Sequence, residues 1–258
     1  MPMTALDIYK VLPQTNCGDC GVPTCLAFAM QLATKKAGID DCPHAADEAK
    51  SALAGAEAPP IRLVEVGPAA QCIVMGKETV LFRHEETFYH PTAIAVRIRT
   101  DKSEEELKSS LERVKGLVFD RVGQYVRVEL VVIEDADGDA GRFAAAAAMA
   151  NEMDLAMVLM SSSPSVLEAA LPALEGKRPL LDAATSETWE AMAGLAQAHG
   201  CRLGVRGADM DVLAELTTKV AAAGVEDLII DSGARGLAAT LRDLTQTRRL
   251  ALRRQFRP

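Results

Sequence analysis

From residue 93 to the chain end, short apolar runs alternate with amphipathic helical patterns, and this alternation constrains the fold more than any other feature. The pattern contains six strand–helix units, each of roughly 25 to 30 residues. Apolar strands separated by helices indicate a parallel sheet covered by helices, so the expected class is α/β. The predicted strands are residues 93–99, 125–133, 155–160, 178–183, 201–206 and 226–231.

Right-handed crossovers leave two main architectures for such a sheet, an open doubly wound sheet or a (βα) barrel. A complete eight-stranded barrel usually needs about 200 to 250 residues, more than this segment provides. The first strand is not followed by G-x-G-x-x-G, and the chain has no P-loop, so a nucleotide-binding fingerprint is absent. The segment 93–258 is therefore expected to form an open sheet or an incomplete barrel.

Four cysteines stand close to the N-terminus with the spacing Cys17-x2-Cys20-x4-Cys25-x16-Cys42, and Pro43 follows directly. Three close thiols plus one remote thiol suit a [4Fe-4S] cluster, in which one loop supplies three ligands and a distant residue completes the set. Zinc sites more often show two CxxC-like pairs, and buried free thiols rarely have flanking glycines, although both alternatives stay open. Cys72 and Cys201 lie in apolar, strand-like stretches and are expected to be inert core thiols.

The residues around these cysteines predict a small, metal-dependent fold. Gly18 and Gly21 permit sharp turns that would bring N–H groups close to a cluster. A first helix is expected over residues 4–12. A second is expected from the N-cap Thr24 to Ala37, with Gly38 ending it, and a third over residues 45–56. So short a segment has little core of its own, so the metal ligands are expected to contribute to its folding.

Two prolines in the stretch "EAPPIR" indicate a domain boundary near residue 58. The predicted organisation is a cluster domain over residues 1–58, a linker and β-hairpin over 59–92, and the partial barrel over 93–258. The hairpin is expected to turn at "GKE", residues 76–78, between two apolar runs. His84 and His90 fall on or just after it, where a surface or hydrogen-bonded role is expected.

The carboxyl ends of the predicted strands would hold any site in the second domain. The residues at these ends are also the usual helix caps, so capping is the favoured interpretation, and no catalytic residue is predicted. Asp231 opens the Gly-rich stretch "DSGARG", a weak indication of an anion-binding helix start. The polar strand-end residues are Glu134, Asp135, Ser161, Ser162, Ser163, Asp182, Arg206, Asp231 and Ser232.

The composition limits the class of partner. A formal net charge of −8 at pH 7 argues against a nucleic-acid surface. The basic end "RRLALRRQFRP" is expected to be a solvated helix terminus. No apolar run is long enough to span a bilayer, and the N-terminus has no signal-peptide pattern. A cytoplasmic, reducing compartment is therefore expected, and no membrane partner.

Several stretches resemble the large (gamma) subunit of the corrinoid iron–sulfur protein, the methyl carrier of the acetyl-CoA synthase/decarbonylase system. They are "LDIYKVLPQTNCGDCGVPTCLAFAMQLA", "CPHAADEAKSAL", "APPIR", "KETVLFRHEETF" and "DSGARGLAATLRDLTQTRRLALRRQFRP". The resemblance implies an N-terminal [4Fe-4S] domain held by Cys17, Cys20, Cys25 and Cys42 and tethered to a TIM-like barrel.

In that family the barrel is followed by a domain that binds cobalamin against the small (delta) subunit. The cluster reactivates Co(II) to Co(I), which takes a methyl group from a methyltetrahydropterin methyltransferase. The methyl group then passes to acetyl-CoA synthase/CO dehydrogenase. This sequence stops at "RRQFRP", so cobalamin binding is expected only with a further domain or with partner chains.

The leading hypothesis is thus an electron-transfer and scaffold component of a corrinoid methyl carrier rather than a stand-alone enzyme. A second hypothesis is a TIM-barrel pterin-dependent methyltransferase with a structural cluster, in which Asp182 and Asp231 bind the pterin. A third is a zinc-containing scaffold. An incomplete barrel leaves its edge strands unpaired, so a partner is expected to cover them.

Overall fold

The computed structural model describes residues 4–33, 37–46, 49–50, 61–69, 72–82, 84, 87–254 and 256. They belong to two compact units, one formed by Met1–Pro60 with Arg249–Arg257 and the other by Ile61–Arg248. The predicted domain boundary near residue 58 lies outside the described residues, as does most of the predicted third helix. No described helix combines the length and apolar character needed to cross a bilayer.

The helices and strands follow the predicted order closely. The helices are α1 (Ala5–Val11), α2 (Cys25–Ala33), α3 (Glu104–Lys115), α4 (Ala140–Glu152), α5 (Pro164–Ala170), α6 (Trp189–His199), α7 (Met210–Ala222) and α8 (Leu237–Arg253). The strands are β1 (Leu63–Val66), β2 (Ile73–Gly76), β3 (Ala95–Arg99), β4 (Val118–Arg121), β5 (Gln124–Arg127), β6 (Leu130–Glu134), β7 (Ala156–Met160), β8 (Leu180–Ala184), β9 (Arg202–Arg206) and β10 (Leu228–Asp231). Short 3-10 helices occupy Ile39–Asp41 and Leu171–Leu174.

The first unit packs α1 against α2. Thr4 begins α1 with a capping box, in which its hydroxyl accepts the N–H of Asp7 and the Asp7 carboxylate accepts the N–H of Thr4. Ile8 and Leu12 bury against Phe28 and Leu32 of α2. The described part of α2 ends at Ala33, so the predicted extension to Ala37 falls largely on residues that the structure does not describe.

The second unit contains one six-stranded sheet in the order β10-β9-β8-β7-β6-β3, with every neighbouring pair parallel. Strands of this sheet that follow one another in the sequence are therefore also neighbours in space, and the order never reverses. A doubly wound sheet reverses its strand order at a switch point, whereas a barrel adds strands in one direction. The sequential order confirms the α/β class and the partial (βα) barrel of six units.

The two faces of this sheet bury different partners. Val131, Leu159 and Leu203 face the helix layer and belong to the large core that α3 to α7 share. Val132 and Val158 face the opposite side, where they pack with Val64 and Val66 of β1. The first hairpin therefore covers the inner face of the sheet. Glu65 also anchors it, because its carboxylate pairs with Arg178 at 3.0 Å.

The predicted hairpin with a turn at residues 76–78 is wrong in its pairing. The observed hairpin joins β1 to β2, with Leu63 opposite Gly76 and Val66 opposite Ile73. Residues 77–82 form no strand. Instead, the buried Glu78 carboxylate accepts the N–H groups of Tyr89 and His90 and lies 3.0 Å from the His90 Nδ1. These bonds tie Glu78 to Tyr89 and His90, and they give His90 the hydrogen-bonded role that was expected.

A second hairpin was not predicted at all. The pattern at 125–133 indicated one strand, but β5 pairs antiparallel with β4 and only β6 enters the main sheet. Val122 and Gly123 form the turn with φ values of 55° and 76°. Both faces of this hairpin are largely exposed, including Phe119 and Tyr125. Its strands therefore lack the buried face by which sequence patterns reveal a strand.

Candidate metal centre in the N-terminal unit

The four predicted ligand cysteines lie in two settings. Cys25, the first residue of α2, and Cys42, which follows the 3-10 helix, are buried in the apolar core of the first unit. Cys20 is half-buried and packs against that same core. Cys17 is exposed. The structure thus brings three of the four thiols to one apolar core and leaves the fourth at the surface.

The loop that carries these thiols turns as the glycines predict. Gly18 and Gly21 have φ values of 82° and 80°, in the left-handed region that glycine tolerates best. The N–H of Gly21 donates to the carbonyl of Gly18 at 3.0 Å, which closes the turn around Cys20. A side chain at Gly21 would meet no neighbour, so its backbone conformation, rather than space, requires glycine there.

Asn16 holds Cys25 in place, a role that the sequence interpretation missed. Its side-chain Oδ1 accepts the N–H of Cys25 at 2.8 Å, and its own N–H lies 3.4 Å from the Cys25 Sγ. Asn16 adopts a left-handed φ of 50°, which asparagine tolerates better than most residues. Thr24 acts as the predicted cap of α2, because its hydroxyl accepts the N–H of Ala27 at 3.1 Å.

Asp19 and His44 lie beside the exposed Cys17 and were also missed. The His44 Nε2 is 2.7 Å from the Asp19 Oδ2. Donor atoms of Cys17, Asp19 and His44 all lie within 4.8 Å of one another. The hydrogen bond from His44, and then that from the Cys17 thiol, lower the pKa of the Asp19 carboxyl. The pairing of residues 19 and 44 is a tertiary contact, which local sequence patterns do not reveal.

The donor set and its surroundings fit an iron–sulfur group. Cys17, Cys20, Cys25 and Cys42 could supply four thiolates, the ligands of such clusters. The apolar residues around Cys25 and Cys42 would limit the access of water, and the Asn16 N–H points at the Cys25 sulfur. Limited solvent access and hydrogen bonds to the sulfurs both adjust the reduction potential of a cluster. The other two cysteines lie in the second unit: Cys201 is buried, as expected of a core thiol, but the expected core position is wrong for Cys72, which is only half-buried.

The strand ends of the second unit gather Asp182, Arg206 and Asp231. Arg206 donates from Nη2 to Asp182 Oδ2 at 3.2 Å and from Nε to Asp231 Oδ2 at 2.9 Å. Arg235 donates to both oxygens of Asp231, at 3.0 and 2.8 Å. Burial raises the pKa of Asp182 despite Arg206, whereas the hydrogen bonds from Arg235 hold the pKa of Asp231 well below its usual value.

The predicted anion site at "DSGARG" is not formed. The N–H of Gly233 donates to Asp231 Oδ1 at 2.9 Å, and Arg235 binds the same carboxylate. The groups that would bind an external anion are thus occupied by Asp231 itself. Three of the remaining predicted strand-end residues bond one another: Ser161 donates to Asp135 at 2.7 Å and accepts the N–H of Ser163. Ser163 lies at the N-cap position of α5 but its side chain makes no capping bond, and α4 and α7 are capped by Asp139 and Asp209 instead, so the capping interpretation is wrong for Ser163.

Together these features define a class of protein, one with a cysteine-rich iron–sulfur domain and a partial (βα) barrel. The chain belongs to the CO dehydrogenase/acetyl-CoA synthase delta subunit family, whose model matches residues 63–258. A family model for an Fe-S cluster matches residues 12–44, which include all four candidate ligands.

Individual relatives agree with the resemblance that the sequence suggested. The chain is 48% identical over 258 residues to the corrinoid/iron-sulfur protein large subunit of Moorella thermoacetica, covering all of this chain and 58% of that protein. It is 32% identical to the acetyl-CoA decarbonylase/synthase complex subunit gamma of Methanothermobacter thermautotrophicus, over 98% of this chain and 56% of that one. The structure of a dihydropteroate synthase from Thermus thermophilus superimposes on this chain with a TM-score of 0.49 and 16% sequence identity. The match covers 72% of this chain and 73% of the synthase chain. The resemblance to the large subunit is confirmed, and the chain spans little more than half the length of the first two relatives.

Proposed function

We propose that the chain is an iron–sulfur electron-transfer and scaffold component of a corrinoid methyl carrier, and that it reactivates Co(II) to Co(I) cobalamin for methyl transfer. The observation that carries the proposal is the placing of four cysteines in one small unit, within a chain similar to corrinoid/iron-sulfur large subunits. The chain works with partners and is not a stand-alone enzyme.

The residues proposed to hold a [4Fe-4S] cluster are Cys17, Cys20, Cys25 and Cys42. When bound, such a cluster supplies one-electron transfer at a potential that hydrogen bonds and solvent exposure adjust. The Asn16 N–H would stabilise negative charge at the Cys25 sulfur. The buried positions of Cys25 and Cys42 would limit the contact of water with that side of the site. Electron exchange also requires that part of the cluster be accessible from the surface. The exposed Cys17 would provide that access.

The proposed partners follow from the similarity to the corrinoid/iron-sulfur protein large subunit and to the gamma subunit of the acetyl-CoA decarbonylase/synthase complex. They are the small (delta) subunit of the corrinoid protein, the methyltetrahydropterin methyltransferase and acetyl-CoA synthase/CO dehydrogenase, all in the cytoplasm. Cobalamin would be held with a further domain or with these partner chains. The stretch "EAPPIR", which the prolines suggest as a tether, lies largely outside the described residues.

The alternative of a pterin-dependent methyltransferase requires free carboxylates at the strand ends. Asp231 already accepts hydrogen bonds on both oxygens, and Asp182 accepts one from Arg206. A pterin would have to displace these arginines to reach either acid. The geometry therefore favours a structural role for both residues.

The proposed function is tested with the protein isolated or reconstituted under anaerobic conditions. The chain is first reduced with a limiting amount of a strong reductant, and the remaining reductant is removed. The reduced chain is then mixed with a Co(II) corrinoid protein. We expect Co(I) absorbance to appear in proportion to the reduced chain added. The chain with Cys42→Ser should fail, and Cys72→Ser, which changes a thiol outside the centre, should behave as the unmodified protein. Co(I) formation independent of Cys42 would refute the proposal.

A further inference from the structure

The surface beside Cys17 contains two more metal-binding side chains. The Asp19 carboxylate and the His44 imidazole are each about half exposed, at 54% and 50%. Neither lies within the apolar core that surrounds Cys25 and Cys42. Their donor atoms and the Cys17 sulfur all lie within 4.8 Å of one another. Among the described residues, no other group of three such side chains comes as close together.

The upper limit of 4.8 Å is slightly longer than the separation of two ligands of one metal ion. Protein thiolates bind metals at about 2.3 Å and carboxylate oxygens at about 2.0 to 2.2 Å, as zinc sites illustrate. Two such ligands at the tetrahedral angle are roughly 3.6 Å apart, and opposite ligands are roughly 4.4 Å apart. A metal bound by Cys17 would therefore require a small rotation of the exposed Asp19 side chain before the carboxylate could bind it too. The short hydrogen bond between His44 and Asp19 would orient that carboxylate, because a hydrogen-bonded ligand is held in a defined position.

We propose that Asp19, oriented by His44, is a reserve ligand for the cluster iron that Cys17 binds. In the exchange, the iron–sulfur bond to Cys17 breaks and an iron–oxygen bond to Asp19 forms. The iron keeps its oxidation state, and the released thiolate takes a proton from water. Carboxylate is an accepted ligand of iron, and imidazole replaces thiolate in some clusters. The inference rests on the proposed function, since it requires that the four cysteines hold a cluster.

The proposal predicts that the four cysteines are not equivalent. Cys25 and Cys42 have only 6% and 4% of their surface exposed, and no carboxylate or imidazole of the described residues forms a metal-binding group with them. Loss of either thiol should therefore remove the cluster. Loss of Cys17 should leave it in place, with one nitrogen- or oxygen-type ligand and a changed spectrum.

The test compares anaerobically reconstituted full-length variants in buffer without added thiols. Iron and sulfide are counted, and Mössbauer and electron paramagnetic resonance spectra are recorded. We expect Cys17→Ala to retain at least three quarters of the iron and sulfide of the unmodified chain, with one iron site altered, whereas Cys42→Ala retains less than a fifth. The double variant Cys17→Ala/Asp19→Ala should fall to the level of Cys42→Ala, and Cys17→Ala/His44→Ala should be intermediate.

The controls separate this inference from the proposed function. Asp19→Ala alone should keep its cluster, and adding it to Cys42→Ala should change nothing. If the unmodified chain binds no iron and sulfide, both proposals fail. If the unmodified chain has its cluster but Cys17→Ala loses it as Cys42→Ala does, only the reserve ligand is refuted. A cluster in Cys17→Ala that survives Asp19→Ala also refutes the role of Asp19.

Discussion

Replacing Arg206 by methionine should destabilise the second unit in a pH-dependent way. Arg206 lies between two carboxylates, and the side chains of Arg206, Asp182 and Asp231 are 36%, 16% and 31% exposed. Methionine keeps much of the apolar stem but removes the guanidinium. Asp231 retains its two bonds from Arg235, whereas Asp182 loses the cation that offsets its burial.

The expected loss at pH 7 is about 2 kcal/mol. Removing one partner of a fully buried ion pair costs about 3 to 5 kcal/mol, and an exposed pair is worth about 0 to 1 kcal/mol. The Arg206 site lies between these limits, because Asp182 is largely buried but Arg206 is a third exposed, so solvent screens part of the interaction. A loss of about 2 kcal/mol lies between the costs of the exposed and the fully buried pair.

The sign of the pH dependence follows from the Asp182 carboxyl. Burial raises its pKa in the folded protein, so its charged form opposes folding at a pH above the unfolded value of 3.8. Without Arg206 the folded pKa rises further, and the variant loses additional stability as the pH rises past the unfolded value. The deficit should therefore be largest at neutral pH and should shrink as the pH falls toward 4, where Asp182 takes up a proton.

The assay is denaturant unfolding followed by the fluorescence of Trp189, the only tryptophan of the chain, which packs against the core of the second unit. Arg206→Met/Asp182→Asn should recover at least half of the deficit at pH 7, because an amide needs no cation. Lys219→Met, which removes an exposed pair with Glu215, is the control and should cost less than about 0.5 kcal/mol. A deficit independent of pH and not recovered by Asp182→Asn would refute the reasoning.

Three further predictions follow from the same contacts. Asn16→Ala should speed hydrogen exchange at the Cys25 amide, because it lowers the local stability by about 2 kcal/mol through loss of one hydrogen bond and strain in a left-handed alanine. Asn16→Gly loses the hydrogen bond without the strain and should lower the local stability by about half as much. Equal effects of the two substitutions would exclude the strain. Asp231→Asn should cost about 1 to 2 kcal/mol at pH 7 in denaturant unfolding. Its carboxyl has a lowered pKa, so the stabilisation is present above the unfolded value of 3.8 and is lost as the pH falls through the folded pKa; an unchanged deficit at acid pH would contradict this. Cys201 should resist a thiol reagent at pH 8 in the native protein, since burial raises its pKa to about 11, and the half-buried Cys72 should react before Cys201 does.

Most of the second unit could be predicted because its local and tertiary preferences agree. Helix α4 (Ala140–Glu152) lies between the predicted strands 125–133 and 155–160, and Ser103 begins α3 with a capping box. Apolar strand runs between capped helices permit few alternatives once crossovers are right-handed. The sequential strand order then follows from the chain order.

The first hairpin was predicted wrongly because strand pairing is decided by distant contacts. The pairing of Leu63–Val66 depends on burial of Val64 and Val66 against the main sheet and on Arg178, more than 100 residues away. In the candidate site, cysteine spacing marked the proposed ligands. Spacing carried no information about Asn16, which acts through backbone conformation, or about His44, which reaches Asp19 only in the folded chain.

The central claim is that Cys17, Cys20, Cys25 and Cys42 together hold one iron–sulfur cluster. The most direct measurement is an iron and inorganic sulfide analysis with Mössbauer spectroscopy on anaerobically isolated protein. The account predicts about four iron and four sulfide per chain, lost when the four cysteines are changed to serine. Zinc without sulfide, or a cluster spectrum unchanged by those four substitutions, would contradict it.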